Sequence, residues 1–362
     1  MFKSIVLTLI FGSISFLTFG QDTLRTYHPE DTLKVKEVVI LINGKANGTV
    51  KRYDLEGRLV VVGSLKNDQR HGIFYDLDPE TGDTLRQVTF QNNQRQGEAL
   101  SFYPSGTLRE RSNFVANQLE GELLSYFEDG TLSEKTPFKA NKPEGISLRY
   151  YPNGSIESKT GYLAGKFHGI REDYDESGTL QYLGNYEQGE LHGKEETFFP
   201  DGTLRSRLFF SNGVLDGPYL LHHSNGQPDR IGTYKKGAPE GELLSYYPGG
   251  ALKQKTTFSK GIPITPTLSY YESGSLMKQE FYSKKGSKLK EENYYPSGQL
   301  SSSIPFLNDM EEGEVILYYE TGKIQEIRRY NKSRLNGVRE FYDANGILER
   351  TETYELGNKI NK

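Results

Sequence analysis

The chain has no cysteine and no tryptophan. The first absence excludes disulfides, thiol nucleophiles, thiolate metal sites and a lipid-modified N-terminal cysteine. Charge of one sign is missing as well: 44 basic residues face 48 acidic ones, for a net charge of -4, and both signs are mixed along the whole sequence. Nucleic-acid binding would call for a basic face or stripe, and there is none. Long apolar runs are confined to the first twenty residues. No Gly-x-x-x-x-Gly-Lys-Ser/Thr phosphate loop and no serine in a nucleophile elbow occurs. What is abundant is tyrosine (25), phenylalanine (19) and glycine (39), a composition that suits strands and turns better than helices.

The N-terminus is a different material. Lys3 is followed by an apolar run from Ile5 to Phe19, and Thr18-Phe19-Gly20 offers small residues three places and one place before Gln21. This reads as a secretory signal peptide over residues 1–20, which implies an exported protein: periplasmic, cell-surface or extracellular. A membrane anchor is the alternative, but a run of about 15 apolar residues falls short of the roughly 20 needed to span a bilayer. Residues 21–47 read as a linker followed by a capping edge strand from Glu37 to Asn43, and residues 48–362 as one continuous array.

That array is a repeat. Units of 24 residues start at Gly48, Gly72, Gly97, Gly121, Gly145, Gly169, Gly193, Gly217, Gly241, Thr265, Leu289, Gly313 and Gly337, and only the second is one residue longer. A fixed period of this size denotes a repeat architecture rather than a pocketed domain. Two turn signals punctuate each repeat. The first ends on a glycine such as Gly106, Gly154 or Gly250, preceded by pairs such as Pro-Ser or Pro-Asn. Such pairs suit the second and third turn positions, and the glycine closes a three-residue hairpin in the left-handed conformation. The second signal is a Gly, Asn or Asp such as Asn117, Gly165 or Gly261, residues that tolerate a left-handed backbone. Lys285 and Ser333 break this rule, which predicts looser loops there. Glycine and proline leave no uninterrupted helical stretch.

The hairpin geometry places three recurrent apolar residues on one side. In the repeat from Gly241 these are Tyr246, Leu252 and Phe258, and in that from Gly145 they are Tyr150, Ile156 and Tyr162. The expectation is an all-β fold: an elongated, single-layer antiparallel β-hairpin array of about thirteen repeats, twisted into a trough on the order of 120 Å long at about 4.8 Å per strand.

The steps Tyr162-Leu-Ala-Gly165-Lys-Phe-His-Gly169 and Tyr186-Glu-Gln-Gly189-Glu-Leu-His-Gly193 resemble the MORN repeat, and the 24-residue period with its Tyr-Tyr-x-x-Gly-x-Leu half is closer to the bacterial variant. The resemblance covers about residues 44–357. It implies a hairpin array that binds or scaffolds other molecules, without catalysis, which in such proteins sits in an appended domain. Members of the variant family are often labelled antitoxins, so an antitoxin or immunity protein that masks a toxin is an alternative to an envelope scaffold.

The chemistry-bearing residues fit the repeat. His71, His168 and His192 precede starting glycines, His222 and His223 stand where other repeats have an aromatic pair, and His28 falls in the linker, where it reads as solvated. No metal, cofactor or catalytic site is expected. One candidate surface remains. The residue after the first ring is also aromatic in eight repeats: Tyr103, Phe127, Tyr151, Phe199, Tyr247, Tyr271, Tyr295 and Tyr319, with Asp175 and Asp343 interrupting. The plain reading is packing between neighbouring strands or cover for turn backbone. The sharper reading is a stripe of amphipathic rings for a partner, with Tyr151, Phe199, Tyr247, Tyr271, Tyr295 and Tyr319 as partner-binding residues. That partner would be a protein or, alternatively, a glycan or lipid surface.

Overall fold

Glycine-closed turns every twelve or so residues leave strands of six to nine residues, and strands are what form. The computed structural model describes residues 21–360, so the leader read over residues 1–20 lies outside the described part. There is no helix among the described residues, and every strand pairing is antiparallel. Contacts divide the chain into two units, residues 1–145 and 146–362.

Residues 21–27 are not a linker: Gln21–Tyr27 is a strand, paired antiparallel with Val35–Ile42 from Gln21 opposite Ile42 to Tyr27 opposite Val35. All seven side chains of Gln21–Tyr27 are exposed, so the strand has no buried face and is held by main-chain bonds to its neighbour. His28 is not free in solvent either. It is half-buried, with Nε2 3.0 Å from the Tyr53 carbonyl. Hairpins then follow in register, with Lys45–Tyr53 on Leu59–Lys66 and Gln94–Phe102 on Leu108–Val115.

The repeat from Gly241 shows the pattern in the second unit. Gly241–Tyr246 pairs with Leu252–Ser259, Gly241 opposite Phe258 and Tyr246 opposite Leu252. Ser245 stands opposite Gln254 and Tyr246 opposite Leu252, so Lys253 is the extra residue of a bulge. The bulge overturns the expected single ring face: the first ring of a repeat turns to the other side, as Tyr174 shows by bonding Glu172 at 2.8 Å beside Lys159, whereas Arg171 lies over Phe167 and Tyr182. The Tyr247 N–H donates to the Ala251 carbonyl and the Gly250 N–H to the Tyr247 carbonyl, each at 2.8 Å. Gly250 has φ 84°, where a Cβ would strain the backbone.

The second turn is tighter than one left-handed residue would make it. Both central residues have positive φ, for example Lys260 (51°) and Gly261 (80°), the arrangement of a type I′ hairpin. Ser333 is no looser: Lys332 (48°) and Ser333 (60°) form the same turn. There the Ser333 N–H donates to the Glu311 carbonyl at 2.9 Å and its Oγ accepts the Glu311 N–H at 3.0 Å, so side-chain bonding replaces glycine's freedom. Lys285 sits in a wider turn of the first kind, closed by Gly286 at φ 87°. Starting glycines lie outside both turns. Gly169, at φ 80°, sits inside the strand Lys166–Tyr174 beside a register shift against the preceding strand.

No large side chain among the described residues is fully buried. The deepest position is Val50 (2% exposed), and most of the others at this depth are small polar residues: Ser112 and Thr136 (4%) in the first unit, Thr256, Thr267 and Ser269 (5%) in the second. In a one-layer sheet a serine can be covered only by larger side chains on its own face leaning over it. Phe258 and Leu243 line the same groove as Thr256 and Ser269, and Thr256 Oγ1 donates to Thr267 Oγ1 at 2.9 Å. Apolar clusters of Val39, Ala46 and Val50, and of Val88, Phe90 and Ala99, fill the same strip in the first unit.

Replacing Gly169 by Ala should cost about 1–2 kcal/mol, since its left-handed backbone has no side-chain compensation. The urea midpoint of the variant measures this, and an unchanged midpoint would contradict the bulge assignment.

Candidate partner-binding surface

The aromatic stripe is set by the first turn. Each of its residues follows the first ring of its repeat, at the point where the strand leaves the ladder. In the second unit the Tyr151 hydroxyl donates to the Tyr174 carbonyl, Tyr247 to Tyr270 and Tyr271 to Tyr294, each at 2.8 Å. Tyr295 bonds the Tyr318 carbonyl at 2.7 Å and Tyr319 that of Tyr342 at 2.8 Å. In the first unit Tyr103 bonds the Tyr126 carbonyl at 2.8 Å. Every one of these bonds joins a turn to the strand end 23 residues later, so it staples adjacent repeats.

His223 occupies the same place with Nε2 3.0 Å from the Tyr246 carbonyl, which fixes Nε2 as the protonated nitrogen because a carbonyl only accepts. Phe199 has no hydroxyl, and Arg205 lies over its ring at 6.0 Å. Where aspartate interrupts the stripe, the carboxylate caps its own turn. Asp175 Oδ1 accepts the Ser177 and Thr179 N–H groups at 2.9 Å, and bonding from Ser177 and Thr179 holds the carboxyl below its ordinary range.

Tyr247, Tyr271, Tyr295 and Tyr319 therefore stand in consecutive repeats, while Tyr151 and Phe199 stand apart from them, separated by Asp175 and His223. All six rings are half-buried. Five of the six spend their hydroxyl on main chain, which leaves ring edges and faces, not O–H groups, for an outside contact.

Titratable groups gather on the ring-bearing face instead. Tyr182 Oη lies 2.7 Å from Tyr186 Oη, and burial drives the Tyr182 hydroxyl far above its usual value. Burial also raises the neighbouring Glu195 carboxyl, against a hydrogen bond from Tyr182. Near the C-terminus, burial would raise Glu326, but Arg328 at 2.7 Å and Arg339 outweigh it and hold the carboxyl low. From Arg339 the second network continues to Glu352 at 3.8 Å and on to Lys359. Among the described residues no three His, Cys, Asp or Glu side chains converge as metal ligands. His168 and His192 are exposed, with Glu187 3.6 Å from His192.

The aromatic ladder holds residues that the ring pattern does not reveal. Between the rings that end successive repeats lies one further side chain, on the strand after the second turn. Phe167 stands between Tyr162 and Tyr186, 5.2 and 5.4 Å from their centroids. The same place is held by Leu119, Pro143, Leu191, Leu215 and Pro239, but in two repeats of the first unit by Arg70 and Arg95. The signal was in the sequence, as two arginines in a column that is apolar in most repeats and polar again only at Ser287, Glu311 and Lys359, but it needs the second-turn register to be seen.

An antiparallel hairpin repeat with this period and these turns defines a class of β-repeat protein, and comparison with family models narrows it. The MORN repeat variant model matches residues 95–116, 119–140, 143–163, 167–188, 191–212, 239–260, 289–308, 311–332 and 335–356. These segments make up more than half of the chain, which belongs to the MORN repeat variant family. Repeats of this kind are generally modules for protein or membrane interaction, and typically non-catalytic. No curated protein matches the chain. Among solved structures it is similar to the Tc holotoxin pore of Photorhabdus luminescens carrying a TccC3 mutation, at 13% identity and a TM-score of 0.16, over 92% of this chain and 22% of that one. A crystal structure of TcdB2–TccC3 gives 12% identity and a TM-score of 0.13, over 94% of this chain and 24% of that one. The chain thus spans less than a quarter of the length of either, and TM-scores this low establish no shared overall fold. No helix among the described residues is long and apolar enough to cross a membrane.

Two outcomes are expected. Tyr271→Phe keeps the ring and removes one staple, so it should cost about 1 kcal/mol in chemical denaturation; Tyr271→Ser, which also loses ring burial, should cost more. Because Glu326 has a lower pKa folded than unfolded, its stabilisation is present above the unfolded value of about 4.3 and is lost as pH falls through the folded one. Denaturation followed from pH 7 to pH 3 should show a loss of stability below about pH 4 that Glu326→Gln diminishes.

Proposed function

We propose that the chain is an exported, non-enzymatic scaffold that binds a protein partner along its repeats. The observation that carries this reading is the stapled stripe from Tyr247 to Tyr319: four tyrosines in four successive repeats, each fixed by a hydroxyl bond to main chain. At two strands per repeat they recur at about 10 Å intervals. Fixed, half-exposed rings lose little entropy on contact, which favours them as binding residues. The family's general role as an interaction module supports the same reading, as does the leader over residues 1–20 for export.

The test is crosslinking and affinity capture from the cell envelope with three chains: the natural one, a fourfold Tyr→Phe and a fourfold Tyr→Ser variant at Tyr247, Tyr271, Tyr295 and Tyr319. The Phe variant should retain its partner, and the Ser variant should lose it while circular dichroism still reports strands. Undiminished capture by the Ser variant would overturn the stripe as the contact. Recovery of the uncleaved chain in the cytoplasm would overturn export and favour an antitoxin. Enrichment on liposomes or polysaccharide, with no protein captured, would overturn the protein partner.

A further inference from the structure

The interruption of the ladder by Arg70 and Arg95 has chemical content. The Arg70 guanidinium lies over the Phe90 ring at 4.1 Å and that of Arg95 over Phe114 at 4.0 Å. A guanidinium stacked on a ring keeps its N–H edge free to bond in plane. Arg95 spends one donor on the Asn117 carbonyl at 3.2 Å, and the Arg70 side chain has no hydrogen-bond acceptor among the described residues. Both line a groove of about 330 Å³ on the ring-bearing face, together with Arg86, whose Nε donates to Asp76 at 2.7 Å. Between them lies Ser101, 9% exposed, with an Oγ that is buried and has no hydrogen-bond partner. Ser101 stands directly opposite Arg86 on one neighbouring strand and Glu110 on the other. Three guanidiniums thus face one lining carboxylate, Glu110, and a second groove continues past Arg86 to Arg52.

From this geometry we infer that the groove between Arg70 and Arg95 binds an acidic, extended peptide segment of a partner protein. The inference rests on the scaffold reading and names the chemistry of a contact separate from the tyrosine stripe. Carboxylates match the planar guanidinium fork. Arg70 and Arg95 stand on strands two apart, about 10 Å, close to the roughly 9 Å turn of an extended polyproline II chain, whose residues i and i+3 project from one side. Acidic residues at i and i+3 would therefore meet both guanidiniums at once. The open, elongated groove suits a chain passing through it. Tight phosphate sites are cradled by backbone N–H groups, and here the flanking main chain is spent on the sheet ladder.

The test uses the full chain and a labelled Gly/Ser peptide with glutamates three residues apart, read by fluorescence anisotropy at low salt. The control variant is Arg70→Leu with Arg95→Leu, because leucine holds this place at Leu119 and Leu191 and the fold tolerates it. Expected are measurable binding by the natural chain, loss by about tenfold or more in the double variant, and no binding of the Gln version of the peptide. Equal binding by both chains, or binding of inorganic phosphate or phosphatidylglycerol vesicles in place of the peptide, would overturn the inference. The two readings fail separately. Envelope capture unchanged in the double variant and no peptide binding would remove the groove alone. Peptide binding without any captured protein would remove the scaffold role alone.

Discussion

A single β-hairpin cannot cover its own apolar side, and among the described residues neither unit has a second layer to do it. Every ring must therefore be shielded by side chains of the strands beside it, in the same sheet and on the same face. This sideways shielding explains why residues as small as Thr256 and Ser112 are buried while most of the rings stay half-exposed. It also explains why staples matter. Tyr247 reaching the Tyr270 carbonyl ties together two repeats whose contact is otherwise a thin strip. Stability in such an array is close to a sum of repeats and their interfaces, with each neighbour contributing separately.

Much of the fold was legible because it is written in local chemistry. A glycine that must be left-handed announces a turn, and a hairpin of fixed length dictates which residues face each other, as with Tyr246 and Leu252. What escaped has equally physical reasons. Gln21–Tyr27 carries no buried face, so no alternation marks it as a strand. Ser333 makes a tight turn through its hydroxyl, a device that residue type alone does not disclose. The staples end on main-chain carbonyls, which have no identity in the sequence, so eight aromatic residues could be recognised as a stripe without their bonding being foreseen.

The two ways of reading the stripe turn out to be compatible. Its hydroxyls hold the scaffold together, and its ring edges remain at the surface, where the half-burial of Tyr271 and Tyr295 leaves area to spare. The arginine groove of the first unit uses the opposite logic. There a column of leucine and proline gives way to charge, so a packing position becomes a recognition position at no change in main-chain register. A repeat protein can gain a binding site by a single substitution in this way, because the sheet beneath is held by its neighbours.

The staple is not uniform along the second unit. Between Tyr151 and Tyr247 its place is taken in turn by Asp175, which bonds only its own turn, by Phe199, which has no donor, and by His223. Two successive joints there, at Asp175 and Phe199, lack any such clasp. Under tension, or during the brief openings that expose amides to exchange, these joints should part before the clasped ones from Tyr247 onward, giving the ribbon a built-in seam where it bends and tears first.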